Sequence, residues 1–286
     1  MTTTTYRSVT VCADDFGLSE AIDDGILLLA QMGRVNAVSM MVVGPSFERN
    51  AARLRACAVQ TGLHLDLTET ARVFRMPLRE LIARAYLRRL DMQALSQEIE
   101  AQLDGFEAVM HRAPHYVDGH QHVHQLPGVR ELLVRSLQAR YGLNLPWIRS
   151  TRVGTTAELP VKDHIKARIV EALGARKLKR LCEDAGIQTN NAFHGVYSFA
   201  CGRAPYATML RTWLHNAAHG DLIMCHPALA QCTDSGDVIA LDRTVELDVL
   251  RSPDMAMWMR QTRIRIHPSD ANLPNHPSSS QPTLAG

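Results

Sequence analysis

Four histidines and one aspartate occur in the short segment HYVDGHQHVH, residues 115–124. In an extended chain, side chains two residues apart point to the same side, so Asp118, His120, His122 and His124 would form a row. Burying imidazoles beside a carboxylate costs free energy unless these groups have a binding partner. A divalent metal ion, or a substrate that exchanges a proton, would be such a partner. A solvated histidine-rich loop is the simpler alternative. Taken alone, the row predicts a candidate metal site.

A second candidate is the pair of adjacent carboxylates Asp14 and Asp15, which follows an apolar run and precedes Phe16 and Gly17. A single aspartate before a helix is commonly an N-cap, but two of them without a clear capping box are less easily explained in this way. Adjacent side chains point in different directions, so one carboxylate can bind a metal ion while the other accepts a proton. We therefore favour a chemical role for the pair.

Two further histidines are weaker candidates when each is taken alone. His64 lies in the apolar run GLHLDL, where a buried histidine is more often a hydrogen-bonded core residue than a ligand. Asp66 would face the same way in a strand and could pair with His64. His226 ends the apolar run DLIMC, where it is either a general acid or a surface side chain at the end of a strand.

The elements that must position these residues alternate between strands and helices. Strands are predicted at 7–13, 37–43, 62–67, 114–118, 145–149, 192–198, 221–225 and 262–266. Apolar residues at helical spacing predict helices between most of them, beginning with one capped by Ser19. Such alternation indicates a parallel sheet, and roughly eight strands favour a closed or deformed (β/α) barrel over an open sheet.

In a barrel of this kind, chemistry gathers at the carboxyl ends of the strands. The candidate residues that fall at or near such ends are Asp14, Asp15, His64, His120, Arg149 and His226. This coincidence predicts that they share one site.

Composition limits the remaining function classes. The 286 residues are 46% hydrophobic and 21% charged, which is ordinary for a soluble globular protein, and a net charge of +2 does not indicate a nucleic-acid partner.

No apolar run reaches membrane-spanning length, and the polar N-terminus does not resemble a secretory signal. Six scattered cysteines without a C-x-x-C motif favour a reduced, cytoplasmic protein. We predict one domain over residues 1–267 and a disordered tail over 268–286.

Four short motifs occur in a fixed order along the chain: VTVCADDFGLS, GLHLDLT, DGHQHVH and MCHPA. Together they closely resemble the YdjC/ChbG-like carbohydrate deacetylases, a group that includes the hopanoid-associated HpnK proteins. The resemblance implies an α/β fold with a deformed (β/α) barrel. It also implies an enzyme that hydrolyses the N-acetyl group of a sugar with a divalent metal ion, Mg or Zn.

The resemblance further implies roles for individual residues. The positions of its metal ligands are matched by Asp15, His64 and His120. The positions of its general base and general acid are matched by Asp14 and His226. Positions that line the site are matched by His122 and His124, and a weaker match gives Arg149 the role of orienting Asp14. Beside these residues, Asp118 would then support the site.

Other functions stay open at this stage. An amidohydrolase or a phosphoesterase could use the same metal ligands. A non-catalytic metal-binding barrel is a third alternative, although a pure binding site needs neither Asp14 nor His226. The sequence also leaves open which N-acetylated sugar is the substrate, whether that sugar is lipid-linked, and whether the protein is a homodimer.

Overall fold

The computed structural model describes residues 6–156, 158–229 and 236–266, so the predicted tail at 268–286 lies outside the described residues. Its centre is a curled sheet of seven parallel strands. In chain order these are β2 (Thr10–Phe16), β3 (Ala37–Met40), β4 (Gln60–Leu65), β5 (Tyr116–Gly119), β6 (Trp147–Ile148), β7 (Phe193–His194) and β8 (Leu222–Cys225). Across the sheet the order is β6-β5-β4-β3-β2-β8-β7.

Single bridges draw the two edges of this sheet together, so that it curls into a deformed barrel. Ile148 of β6 bridges Thr189, and Val153 bridges Phe193 of β7. A separate parallel pair is formed by β1 (Arg7–Ser8) and β9 (Ile264–Arg265) near the two ends of the described chain. The predicted deformed (β/α) barrel with parallel strands is confirmed.

Helices cover the outside of the sheet. They are α1 (Glu20–Gln31), α2 (Phe47–Arg55), α3 (Leu78–Tyr86), α4 (Met92–Met110), α5 (Val129–Tyr141), α6 (Val161–Ala172), α7 (Ala175–Asp184), α8 (Arg203–Asn216), α9 (Ala240–Leu250) and α10 (Pro253–Gln261). Ser19 caps α1 as predicted, because its hydroxyl accepts a hydrogen bond from the Ile22 amide. Across residues 6–156, 158–229 and 236–266, no helix is both long and apolar enough to cross a membrane.

The inside of the barrel changes from apolar to polar towards the carboxyl ends of the strands. Tyr116 and Trp147 stack with ring centroids 4.3 Å apart and form an apolar floor. Two residues further along, Asp118 lies in β5 and Arg149 lies just beyond the end of β6, and both are fully buried. The two-residue period of a strand therefore places a polar layer directly above the apolar floor.

Candidate metal centre and active site

The end of β2 brings two consecutive carboxylates to one place. Successive residues of a strand normally point to opposite faces. At Asp15, however, the backbone is left-handed with φ of 73°, and the register between β2 and β3 shifts between Ala13 and Phe16. Asp14 and Asp15 are each only 1% exposed, and both line the same cleft. The bulge at the end of β2 makes this arrangement possible.

Asp15, His64 and His120 form a compact cluster of metal-ligand atoms. Asp15 Oδ1 lies 3.3 Å from His64 Nε2 and 3.0 Å from His120 Nδ1. The three ligand atoms all lie within 4.8 Å of one another. His64 Nδ1 is 2.6 Å from Asp118 Oδ1, so the other nitrogen of this ring is held by a carboxylate. This is how proteins commonly orient a metal-binding imidazole.

The electrostatics of the cluster favour a positive charge. Burial lowers the pKa of His64, but Asp118 and Asp14 outweigh burial and raise it to about 10. Burial also opposes protonation of His120, yet Asp15 raises the pKa of that ring to about 9. Imidazoles that hold a proton this tightly lie in a strongly negative field. The same field would attract a divalent cation.

The histidine segment does not continue as an extended strand, so the expected row of side chains is not formed. Residues His120–Gln125 form short 3₁₀ turns that are interrupted by a kink at Gln121 and His122, whose backbone angles are left-handed. His122 turns to the cleft wall and packs edge-on against Phe193, with ring centroids 5.5 Å apart. His124 is fully buried and donates a hydrogen bond from Nε2 to the Arg149 carbonyl at 2.9 Å. Of the three histidines, only His120 joins the metal-ligand cluster.

The buried guanidinium group of Arg149 contacts both Asp14 and Asp118, the carboxylate that holds the His64 ring. Arg149 donates hydrogen bonds to both oxygens of Asp14, at 2.6 and 2.7 Å. Its Nη2 is also 2.5 Å from Asp118 Oδ2. Burial raises the pKa of the Asp14 carboxyl, but the adjacent Arg149 cation holds it well below its usual value. Asp14 is therefore an ionised carboxylate with a fixed orientation.

A second buried guanidinium, which the sequence did not single out, contacts the metal-ligand cluster from the other side. Arg243, in α9, has Nη2 2.8 Å from Asp15 Oδ2 and donates from Nε to Asp237 at 2.6 Å. Its Nη1 is buried, and none of the described residues forms a hydrogen bond with it. Nothing in the local sequence distinguishes Arg243 from any other arginine of a surface helix. Only the packing of α9 against α1 and α8, which brings Arg243 to Asp15, reveals it.

His226 lies at the end of β8 and lines the same cleft. Its backbone amide donates to Glu246 Oε2 at 2.7 Å, and its Nδ1 is 3.8 Å from Glu246 Oε1. Glu246 is buried and also accepts a hydrogen bond from the Tyr197 hydroxyl at 2.8 Å. Glu246 therefore fixes the backbone of His226, and sequence inspection missed it for the same reason as Arg243.

The alternative pairing of His64 with Asp66 is wrong. The Asp66 carboxylate instead accepts hydrogen bonds from backbone amides of the loop that follows it, including Thr68 at 2.8 Å and Glu69 at 3.0 Å. This loop brings Glu69 Oε2 to within 2.9 Å of His120 Nε2. The residue that sequence inspection missed here is Glu69, an additional carboxylate at the edge of the cluster.

The predicted residues surround one cleft with a volume of about 610 Å³. Those that line it are Asp14, Asp15, His64, His120, His122 and His226. Asp118, His124 and Arg149 are buried and contact this set or its backbone. Lys166, Tyr197 and Phe199 form part of the wall. The volume is in the range of small-molecule sites, about 300–1,000 Å³.

The fold and the site together define a deformed (β/α) barrel with a histidine–carboxylate centre at the carboxyl ends of its strands. A family model described as "YdjC-like protein" matches residues 8–261 of the chain. The chain belongs to this family, as the four sequence motifs predicted.

Curated relatives match over most of the chain. It is 30% identical to a carbohydrate deacetylase from Homo sapiens, over 96% of this chain and 94% of the relative. It is 28% identical to a chitooligosaccharide deacetylase from Serratia marcescens, over 86% of this chain and 91% of the relative. Among solved structures, a protein of Enterococcus faecalis proposed to cleave cellobiose phosphate superimposes with a TM-score of 0.66. At 18% identity, this match covers 92% of this chain and 97% of that protein, and it supports the fold alone.

Proposed function

We propose that the protein is a carbohydrate deacetylase that hydrolyses the N-acetyl group of an amino sugar with a divalent metal ion. The observation that carries the proposal is the position of the cluster Asp15, His64 and His120 in one cleft with Asp14 and His226. The names of the curated relatives supply the substrate class, an acetylated carbohydrate.

The residues fit a divalent ion. One carboxylate oxygen and two imidazole nitrogens leave further coordination positions for water and substrate. The two imidazoles favour Zn, whereas a carboxylate together with water molecules also suits Mg, so both stay candidates. An ion held by Asp15, His64 and His120 would polarise the acetamide carbonyl and lower the pKa of a water molecule.

In this reaction Asp14 acts as the general base. Arg149 holds both of its oxygens, so the carboxylate is ionised and has little freedom to rotate. Asp14 accepts the proton of the attacking water while the new C–O bond forms. His226 donates a proton to the departing amine nitrogen as the C–N bond breaks. The products are acetate and a free amino sugar.

The central test is acetate release from a panel of N-acetylglucosamine oligosaccharides, with and without chelator. Asp14→Asn should lower turnover by about 100- to 10,000-fold, the usual contribution of a general base, while the metal content stays unchanged. Asp24→Asn is the matched control, because Asp24 lies on α1 and its side chain is 39% exposed. Undiminished acetate release by the metal-loaded Asp14→Asn protein would refute the assignment.

The same panel separates the other classes of protein. Phosphate release from phosphoesters without acetate release would indicate a phosphoesterase, and tight metal binding without any hydrolysis would indicate a non-catalytic barrel. A cytoplasmic location stays a prediction, and whether the protein is a homodimer and whether its sugar is lipid-linked stay open.

A further inference from the structure

Helix α6 exposes a stripe of aliphatic side chains beside the cleft. Val161, Ile165 and Ile169 are spaced four residues apart and are 74%, 52% and 58% exposed. At this spacing they lie on one face of the helix. Lys162 and Arg168 are exposed beside them. Single exposed aliphatic residues are ordinary, but a continuous stripe along one helix face is typical of an interaction surface.

The outward face of α6 carries no acidic side chain, because both carboxylates of the helix are turned inward. Asp163 is 1% exposed and accepts a hydrogen bond from the Ser198 amide. Glu171 is 7% exposed and pairs with Arg168 at 2.8 Å. The exposed side chains at these positions of α6 are therefore aliphatic or cationic, and Glu171 offsets part of the charge of Arg168.

A basic cavity of about 360 Å³ continues this face at the end of α6. Its cationic lining residues are Arg130, Arg168, Arg176 and Lys177. Two carboxylates offset them in part, since Glu171 also lies near Arg176 and Glu131 pairs with Arg130 at 2.7 Å. Tyr86, at the end of α3, lies on the edge of the cavity, and the next residue, Leu87, is 61% exposed. The excess of cations makes this cavity suitable for a phosphate group.

We propose that the α6 face, defined as Val161, Lys162, Ile165, Arg168 and Ile169 together with the basic cavity, docks on a bilayer that contains anionic phospholipids. The aliphatic stripe would enter between the headgroups, while the cations pair with lipid phosphates. A second copy of the chain fits this face less well, because a two-fold contact would set the same cations against each other.

Docking would also orient the candidate active site. Lys166 and Val170 of the same helix line the cleft, so the bilayer would lie next to the cleft mouth. The surface lies outside the residues that are proposed to perform the chemistry. The inference can therefore fail while the proposed deacetylase activity holds, and the reverse is equally true.

Vesicle flotation of the full chain tests the proposal, with vesicles of phosphatidylcholine alone and of phosphatidylcholine mixed with phosphatidylglycerol. The wild-type protein should float with the anionic vesicles and dissociate at high salt. Ile165→Ser combined with Ile169→Ser should weaken this partition by about tenfold or more. Arg176→Gln and Lys177→Gln should each weaken it by about fivefold.

Two control variants match these changes. Leu143→Ser removes an aliphatic side chain that is 101% exposed in the turn before β6, at the opposite end of the barrel. Arg211→Gln removes an exposed cation from α8. Both should float like the wild type. All variants should release acetate from a soluble oligosaccharide at the wild-type rate, which keeps this test separate from that of the activity.

Four results would overturn the proposal. The first is no flotation with anionic vesicles, and the second is equal flotation of the aliphatic double variant. The third is displacement from vesicles by inorganic phosphate at constant ionic strength, which would indicate a site for free phosphate. The fourth is a concentration-dependent dimer that the aliphatic double variant abolishes, which would make the α6 face an interface between two copies.

Discussion

At the scale of single residues, two buried guanidinium groups hold the negative charges of the candidate centre. Arg149 binds Asp14 and Asp118, and Arg243 binds Asp15 and Asp237. Buried carboxylates without such partners would be costly, since removing one member of a buried ion pair leaves an uncompensated charge. The arginines therefore keep Asp14 and Asp15 ionised and directed at the cleft.

Arg243→Met tests this role, because methionine keeps much of the bulk and removes the cation. We expect the metal-free protein to lose about 3 kcal/mol of unfolding free energy. Added metal ion should recover part of the loss, since it brings positive charge to Asp15. Urea unfolding with and without metal measures both effects. Arg211→Met, on the exposed side of α8, should stay within about 0.5 kcal/mol of the wild type. Unchanged stability of metal-free Arg243→Met would exclude charge compensation by Arg243.

At the scale of an element, the end of β2 decides whether two neighbouring aspartates can act together. The left-handed backbone at Asp15 is followed by Gly17, whose φ is +100°. A β-carbon at Gly17 would lie 2.7 Å from the Met41 carbonyl oxygen. Both the backbone angle and the close approach to β3 therefore require glycine at this turn.

Gly17→Ala should destabilise the protein by about 3 kcal/mol, the sum of an unfavourable backbone angle and a steric clash. Because the turn carries Asp15, metal affinity should fall as well. Gly33→Ala is the matched control, since Gly33 also has positive φ but a β-carbon added there would meet no atom within 4 Å. It should cost about 1 kcal/mol and leave metal affinity unchanged. Urea unfolding measures the stability of both variants, and calorimetric titration measures their metal affinity. An equal loss of unfolding free energy in Gly17→Ala and Gly33→Ala would mean that the surrounding backbone moves and relieves the clash at Gly17.

At the scale of the whole molecule, the candidate centre joins elements that are far apart in the chain. β2, β4, β5, β6 and β8 each contribute a residue at or just beyond their carboxyl ends, and α9 adds Arg243. A ligand that binds across these elements stabilises the folded barrel but not the unfolded chain. The stability of the whole protein should therefore report on metal binding.

Saturating Zn or Mg should stabilise the protein by about 2.7 kcal/mol at a hundredfold excess over the dissociation constant. For a chain of 286 residues, the melting temperature should rise by roughly 4–5 °C. Differential scanning calorimetry measures this shift, and a chelator should reverse it. His120→Asn should abolish the shift, because it removes one of the three ligand side chains. A shift that persists in that variant would place the ion elsewhere in the protein.

Much of the architecture could be predicted because it depends on short-range patterns. The apolar stripe Ile99, Leu103 and Phe106 is buried in α4, and Ser19 caps α1. The alternation of strands and helices indicated a parallel barrel, and parallel strands place their carboxyl ends at one edge. This geometry placed Asp14, Asp15, His64, His120 and His226 around one cleft. Residue type and position at a strand end were sufficient for these predictions.

The sequence by itself therefore determined the type of fold, the family and the set of chemical groups at the barrel end. Only the tertiary structure decided how those groups pair. It kinked the histidine segment after β5, brought Arg243 to Asp15, and set Arg149 against Asp14, 135 residues away in the chain. It also gathered the cations beside α6 into one cavity. The physical reason is that such contacts depend on strand order, register and helix packing, whereas local sequence patterns encode only the periodicity of each element.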